Sequence, residues 1–181
     1  MTPTSLDVFT AAARAAWGPI STDLVRTCRL ALGELTRTDE TEPWLAELKW
    51  DQPPSRELYR DPQHGFVLLA HAEPGGTYRP PHDHGRAWVI YGVQSGALEV
   101  RTYANVLTPD GAPELVLREE TVLRPGDARA YLPGDIHDTR CLSETAMLFR
   151  FTERDMRCED LAEGRVTRFV ENGGVWTVPG A

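Results

Sequence analysis

The chain has 181 residues, the size of one ordinary domain, and its 41% hydrophobic and 25% charged residues are usual for a globular protein. Its 19 basic and 27 acidic residues give a net charge of −8 without any cluster of lysine or arginine, which argues against a nucleic-acid partner. No apolar run approaches the roughly 20 residues that a membrane-spanning helix requires, so no membrane partner is expected.

The amino-terminal residues and the cysteines both favour a cytoplasmic protein. Residues 1–7 lack the basic start and the apolar core of a signal peptide. Cys28, Cys141 and Cys158 are too few and too widely spaced for a disulfide framework or a CxxC site. We therefore expect reduced thiols and a cytoplasmic location.

Residues 1–52 are predicted to form a helical segment that packs on the rest of the chain. A first helix is expected over Ser5–Ala16, capped by its serine, and a second helix begins after a cap at Ser21 or Thr22. In both, apolar residues recur at the i, i+3/i+4 spacing of a stripe that faces a core. A shorter helical turn is predicted over Pro43–Lys49 and ends before a Gln-Pro-Pro sequence.

Beyond residue 52 the pattern changes to short strands separated by turns rich in glycine and proline. The predicted strands are Phe66–Ala72, Ala87–Gln94, Ala97–Asn105, Leu115–Leu123, Ala128–Leu132, Thr145–Phe151, Val166–Val170 and Val175–Val178. Many short strands at regular spacing favour an antiparallel sandwich or barrel. We therefore predict one all-β structural domain, with β-structure over residues 53–181.

Three of the five histidines occur in two short motifs that suit one metal ion. His82 and His84 are separated by one residue, so on a strand their side chains point the same way while that of Asp83 points away. His137 lies in the later motif Pro-Gly-Asp-Ile-His and supplies a third imidazole from another strand. Three nitrogen ligands leave coordination positions open, as a catalytic metal requires.

The spacing around these histidines resembles the two sequence motifs of the cupin superfamily. The matching patterns are Gly76-x5-His82-x-His84-x11-Gly96 for the first motif and Gly126-x6-Pro133-Gly134-x2-His137 for the second. This resemblance covers about residues 66–152. It implies a double-stranded β-helix (jelly-roll) barrel that holds the metal inside its mouth, here with residues 1–52 as an N-terminal helical cap.

The chain departs from the germin-type cupin pattern at the fourth metal ligand. The glutamate of that pattern is Val89 here, which cannot bind a metal. Three neutral imidazoles leave the charge of the ion uncompensated, which favours an anionic external ligand such as a thiolate or a carboxylate. By ligand hardness the site would accept Fe(II), nickel, copper, cobalt or zinc.

A three-histidine cupin without that glutamate resembles the thiol dioxygenases, the family of cysteine dioxygenase and 3-mercaptopropionate dioxygenase. The run Pro-Pro-His-Asp-His-Gly, the following Trp-Val-Ile-Tyr-Gly-Val and the helical N-terminal segment add to this resemblance. It implies a mononuclear non-haem Fe(II) oxygenase that uses O2 to oxidise a small thiol carboxylate to a sulfinate. Arg56 lies 26 residues before His82, where that family places its carboxylate-binding arginine, and Arg60 is a competing candidate.

The proton-transfer residues of that family are not matched in this chain. The positions of its Ser-x-His-x-Tyr run are occupied by Leu148, Arg150 and Thr152. Either the chain is a divergent relative that acts on another substrate, or a phenol from elsewhere replaces this run, with Tyr131 as the catalytic candidate and Tyr78 or Tyr91 as alternatives. If the strand turns Arg150 inward, this arginine is a second candidate for holding the substrate carboxylate, because a buried arginine requires an anionic partner. The alternative is that Arg150 is exposed to solvent.

Two other functions are compatible with the same residues. The three histidines would also serve another cupin enzyme, such as a lyase, an isomerase or a C–C-cleaving dioxygenase, in which the metal polarises a carbonyl. They would equally suit a non-catalytic metal-binding cupin with a pocket too narrow for a substrate. Because cupins commonly pair through edge strands, and an uncovered edge is a liability, a homodimer is expected.

Overall fold

The structure, a computed structural model, describes residues 2–109, 111 and 113–178. Its α-helices are α1 (Ser5–Ala16), α2 (Thr22–Leu35) and α3 (Pro43–Asp51). Thr4 caps the first helix instead of the predicted Ser5, because Thr4 and Asp7 exchange hydrogen bonds in a capping box. Ser21 caps the second helix. Within the described residues, no helix is long and apolar enough to cross a membrane.

The strands follow the helices along the chain. They are β1 (Arg56–Arg60), β2 (Val67–Pro74), β3 (Tyr78–His82), β4 (Val89–Ser95), β5 (Leu98–Leu107), β6 (Pro113–Leu123), β7 (Ala128–Tyr131), β8 (Ile136–Cys141), β9 (Thr145–Thr152), β10 (Val170–Asn172) and β11 (Val175–Thr177). Seven of them match predicted strands with bounds that differ by at most two residues: β2, β4, β5, β6, β7, β9 and β11. The predicted strand at Val166–Val170 is wrong, since pairing with β11 begins only at Val170.

Two of the strands that were not predicted, β3 and β8, carry metal-ligand candidates. β3 reads Tyr-Arg-Pro-Pro-His, and prolines cannot donate to a β-ladder, so the segment has the sequence of a loop. It is tolerated because β3 is the edge strand of its sheet. β8 reads Ile-His-Asp-Thr-Arg-Cys, which lacks an apolar alternation although most of its residues are buried.

Two antiparallel sheets form the body of the protein. One has the order β1-β2-β9-β4-β7 and the other has the order β3-β8-β5-β6. From β2 to β9 the chain crosses between the sheets at every step except the β5–β6 hairpin, which is the strand order of a jelly roll. Val89 and Leu148 from the first sheet pack with Val100 and Leu123 from the second. The predicted all-β double-stranded β-helix with N-terminal helices is confirmed.

The helices cover the outer face of the five-stranded sheet. Phe9 of α1 and Leu32 of α2 join one buried cluster with Phe149 and Phe151 of β9. Helix α2 can approach β4 closely because Gly92 has no side chain, since a Cβ there would lie only 2.8 Å from Thr36 Cγ2 and 3.1 Å from Leu32 Cγ.

This sheet is therefore buried on both faces, which determines the direction of each side chain on β9. Phe149 and Phe151 point towards the helices. Leu148 and Arg150 alternate with them and point into the space between the two sheets.

The turn between β1 and β2 is fixed by Asp61, whose side chain is fully buried. Its carboxylate accepts hydrogen bonds from Arg14 Nε at 2.5 Å, from Tyr59 Oη at 3.1 Å and from the backbone N–H groups of Gln63 and His64. Burial alone would raise the pKa of Asp61, but these hydrogen bonds outweigh it and lower the pKa to about 2. Helix α1 is thereby tied to the sheet.

Replacing Asp61 by asparagine is expected to lower the free energy of unfolding at pH 7 by about 1–3 kcal/mol, because buried donors lose a charged acceptor. The folded pKa lies below the ordinary value of 3.8, so the contribution of Asp61 is present above about pH 4 and is lost as the pH falls towards 2. Urea denaturation of the wild type and of Asp61→Asn should show that the difference in their free energies of unfolding decreases as the pH falls from 4 to 2. An equal difference at pH 7 and pH 2.5 would contradict the stabilising role of the ionised Asp61 side chain.

Candidate metal centre

Three imidazoles meet at one end of the space between the two sheets. His82 ends β3 and lies opposite His137 of β8 in the strand register, and His84 follows in the next loop. The ring centroid of His82 is 5.3 Å from that of His84 and 4.8 Å from that of His137, and the centroids of His84 and His137 are 4.9 Å apart. One nitrogen from each ring lies within 4.8 Å of the others, so all three can hold a single ion.

The first two histidines reach this centre in a different way from the one predicted. They do not share a strand, because β3 ends at His82. The loop is shaped by Asp83, whose carboxylate accepts hydrogen bonds from the backbone N–H of Gly85 at 3.0 Å and of Thr167 at 2.9 Å. The loop, and not the alternation of a strand, therefore directs His84 towards its neighbours.

The imidazoles are held in the neutral form that binds a metal. His84 and His137 are 3% and 0% exposed, and burial lowers the pKa of both side chains well below 6.5, with a further contribution from the neighbouring histidines. His84 Nδ1 and both ring nitrogens of His137 are buried without a hydrogen-bond partner. Buried polar nitrogens without partners are costly, and a bound divalent ion would coordinate one nitrogen of each ring.

A backbone carbonyl orients the third ring. His82 Nδ1 lies 2.8 Å from the carbonyl oxygen of Pro80, which can only accept, so this nitrogen carries the proton. Nε2 is then left with its lone pair for a metal, an arrangement typical of histidine ligands. The all-nitrogen donor set fits Fe(II), cobalt, nickel, copper or zinc and does not select among them.

Tyrosines pack against the histidines. Tyr131 stacks on His137 with ring centroids 4.0 Å apart. Tyr91 forms T-shaped, edge-on contacts with the rings of both Tyr131 and His137. The Tyr131 hydroxyl is buried without a partner, and burial raises its pKa. Tyr131 does not line the cavity described next, whereas Tyr78 and Tyr91 do. The Tyr91 hydroxyl is 3.4 Å from His84 Nε2, so Tyr91 is better placed than Tyr131 to exchange a proton with a ligand there.

A cavity of about 500 Å³ adjoins the centre. His82, His84 and Tyr91 form one part of its wall, and β2 and β9 contribute another part. This volume is within the range of small-molecule sites. The cavity therefore has room for a substrate beside the metal.

Arg150 of β9 lines this cavity, as the inward alternative predicts. Its Nε atom is buried without a hydrogen-bond partner. The nearby carboxylate of Glu73 is already paired with Arg79 at 2.5 Å. Within the described residues no carboxylate forms an ion pair with Arg150, so its charge is available to an anionic ligand.

Arg56, the arginine that the family spacing indicates, does not reach this cavity. It lies on β1, at the edge of the five-stranded sheet, and its guanidinium pairs with Asp51 at 2.6 Å and Glu47 at 3.2 Å. The competing Arg60 pairs with Glu57 and Asp155. Acidic residues of α3 thus engage Arg56 outside the cavity, and Arg150 takes its place in the proposal below.

The carboxy-terminal segment forms a further wall that the sequence does not reveal. The Thr167 carbonyl accepts a hydrogen bond from the Asp83 N–H at 3.0 Å, and the Thr167 N–H donates to the Asp83 carboxylate at 2.9 Å. The Phe169 N–H donates to the carbonyl of Pro81 at 2.9 Å. Glu159, which is 1% exposed, helps to anchor this segment because its carboxylate accepts a hydrogen bond from the Arg86 N–H at 3.2 Å. Its contributions to the cavity wall are Val166, Arg168, Phe169 and Val170.

Comparison with known proteins finds only distant structural similarity. No protein-family model matches the chain, and no curated protein matches it. The similar solved structures include cupins. The strand order of the chain is by itself that of a jelly roll.

Among these structures, KdgF from Halomonas sp. is 22% identical, with a TM-score of 0.43 over 55% of this chain and 79% of that one. A cupin superfamily protein from Desulfitobacterium hafniense DCB-2 is 12% identical, with a TM-score of 0.41 over 56% and 76%. A protein with a double-stranded β-helix domain from Klebsiella pneumoniae is 17% identical, with a TM-score of 0.42 over 56% and 71%. Such distant similarity carries no information about activity.

Proposed function

We propose that this cupin is a mononuclear iron oxygenase of the thiol dioxygenase type, which oxidises a small thiol carboxylate to a sulfinate. The observation that carries the proposal is a cluster of three imidazoles beside one cavity, whose wall includes two of them, His82 and His84, and the uncompensated Arg150. The reaction adds both atoms of O2 to the sulfur, so thiol and O2 give the sulfinic acid with no other reductant. A bound Fe(II) ion would supply the redox chemistry and would favour the thiolate form of the substrate.

Arg150 is the residue that binds the carboxylate in this proposal. Its guanidinium presents a planar fork that suits two parallel hydrogen bonds to a carboxylate. Placing the carboxylate at Arg150 directs the rest of a short substrate towards the histidines across the cavity. Fixing the substrate in this orientation increases the reaction rate, because the entropy cost of bringing the reacting groups together is met on binding.

The other cavity residues orient the substrate, exclude water and hold a proton. Leu148, Met156 and Phe169 give the wall an apolar part that keeps water from the reacting sulfur. The Tyr91 hydroxyl lies 3.4 Å from His84 Nε2 and lines the cavity, so it can hold a proton for the substrate. Tyr91 therefore replaces Tyr131 as our candidate for the proton-holding phenol.

The test is to load the protein anaerobically with Fe(II) and to follow O2 uptake with cysteine, 3-mercaptopropionate and cysteamine in turn. We expect uptake with a carboxylated thiol, one sulfinate formed per O2 consumed, and no uptake by protein loaded with zinc. Absence of thiol-dependent uptake from protein with one bound iron per chain would overturn the proposal.

A second candidate is a cupin lyase or isomerase that uses the same histidines and Lewis-acid polarisation of a carbonyl. Two observations favour it: the Ser-x-His-x-Tyr run of thiol dioxygenases is absent, and a tyrosine, Tyr91, lines the cavity. Tight binding of zinc or nickel together with failure of the O2 test would shift the assignment to this class. The volume of the cavity does not favour a non-catalytic role.

A further inference from the structure

The cavity wall contains two buried polar atoms of complementary character, and neither has a hydrogen-bond partner. One is Nε2 of His71 on β2, and the other is Nε of Arg150 on β9. Both residues line the cavity beside the metal centre. The two residues are 79 positions apart in the chain, so only the pairing of β2 with β9 brings them to one wall.

The strand register brings the two side chains together. β2 and β9 are antiparallel neighbours in which His71 lies opposite Leu148, and Leu69 lies opposite Arg150. His71 and Arg150 are therefore diagonal neighbours on the face that looks into the cavity. Diagonal pairs have Cα atoms about 7–8 Å apart, within reach of a long side chain such as arginine.

The protonation state of His71 follows from its other nitrogen. Nδ1 lies 3.1 Å from the carbonyl oxygen of Pro54, which can only accept, so Nδ1 carries the proton and Nε2 is an acceptor. Burial lowers the pKa of His71 to about 4, and the positive charges of Arg150 and Arg79 lower it as well. His71 is thus a neutral acceptor at pH 7, and Glu73 in the same wall is neutralised by Arg79.

We propose that His71 is a positioning residue, whose Nε2 accepts a hydrogen bond from Arg150 Nε and thereby directs the two terminal guanidinium nitrogens into the cavity. The pairing requires only side-chain rotation, since the backbone already places both residues on one face. Its effect is to build a fork for a planar anion beside the metal. The anion is identified as a substrate carboxylate only through the function proposed above.

A neutral partner has a specific advantage at this position. A buried arginine is usually balanced by a carboxylate, which would cancel its charge and compete with an anionic ligand. An imidazole satisfies Nε and leaves the full positive charge for the ligand. Replacing His71 by phenylalanine, glutamine or glutamate is therefore expected to affect Arg150 in three different ways.

The first measurement is the exchange of the Arg150 Nε–H proton by NMR, with His71→Phe, His71→Gln and His71→Glu compared with the wild type. We expect protection from exchange in the wild type and in the glutamine variant, which retains a neutral acceptor, and its loss in the phenylalanine variant. Equal protection in the wild type and in His71→Phe, or loss of protection in all variants including glutamine, would overturn the pairing.

The second measurement compares two probes that differ by one carboxylate, 3-mercaptopropionate and ethanethiol, binding anaerobically to the Co(II)-loaded protein. The preference for the carboxylated probe should fall about 10-fold in His71→Phe, as expected for loss of one charge-assisted hydrogen bond that orients the fork. It should fall further in His71→Glu and stay within about 3-fold of wild type in His71→Gln. An unchanged preference in the phenylalanine and glutamate variants would contradict the positioning role.

The two measurements separate this inference from the function on which it rests. If the wild type binds Co(II) but neither thiol, the proposed thiol chemistry fails, and proton exchange at Arg150 still decides the pairing. If both thiols bind with no preference for the carboxylate, the anion fork is excluded whatever the reaction catalysed.

Discussion

Substitution of His137 by alanine is expected to lower the affinity for Fe(II) or Co(II) by at least about 100-fold, more than the effect usual for residues that only support a ligand. His137 is fully buried, its ring lies within 5 Å of both other histidine rings, and neither of its nitrogens has another partner. The remaining two imidazoles would hold an ion without the facial arrangement. Competitive titration with a metal-binding dye would measure the change.

Two further variants control for indirect effects of this substitution. His137→Gln keeps more of the buried volume, so a similar loss of metal affinity with intact folding would assign the effect to the ligand and not to a cavity. His64→Gln changes a histidine that lies in the β1–β2 turn and packs on Trp17, away from the centre, and should bind metal like the wild type. Metal binding of wild-type strength in both His137 variants would exclude the proposed centre.

The metal centre was the part of the molecule that the sequence predicted best. The spacing of His82, His84 and His137 identified three imidazoles that the structure does bring together. The predicted placement on one strand was wrong, because β3 ends at His82 and the loop shaped by Asp83 positions His84. The motif spacing therefore identified the three ligands correctly even though the backbone conformation predicted at His84 was wrong.

The substrate side of the cavity could not be predicted in the same way. A spacing of 26 residues pointed to Arg56, but such a count cannot show that Asp51 and Glu47 at the end of α3 engage it. The phase of β9 was ambiguous because helices cover one face of its sheet and the cavity adjoins the other, so both faces are lined by apolar side chains. Only the packing of the N-terminal helices resolves which face carries Arg150.

Substitution of Arg150 by glutamine is expected to lower kcat/KM for a carboxylated thiol by about 100- to 1000-fold. That loss corresponds to the roughly 3–4 kcal/mol typical of removing one partner of a buried, hydrogen-bonded charge pair. Glutamine keeps a polar group of similar reach but has no charge and no fork. For cysteamine, which has no carboxylate, the same substitution should change kcat/KM by less than about 3-fold, because no ground-state or transition-state contact is lost.

Arg56→Ala is the matched control, since it removes an arginine of the same barrel whose partners are Asp51 and Glu47. It should leave kcat/KM for both thiols within about 2-fold of the wild type, because surface ion pairs contribute little. The reverse result, with the carboxylated substrate lost in Arg56→Ala and retained in Arg150→Gln, would mean that the substrate binds outside the cavity. The ratio of the two substrates in the two variants thus locates the carboxylate, and with it the direction from which the thiol approaches the three histidines.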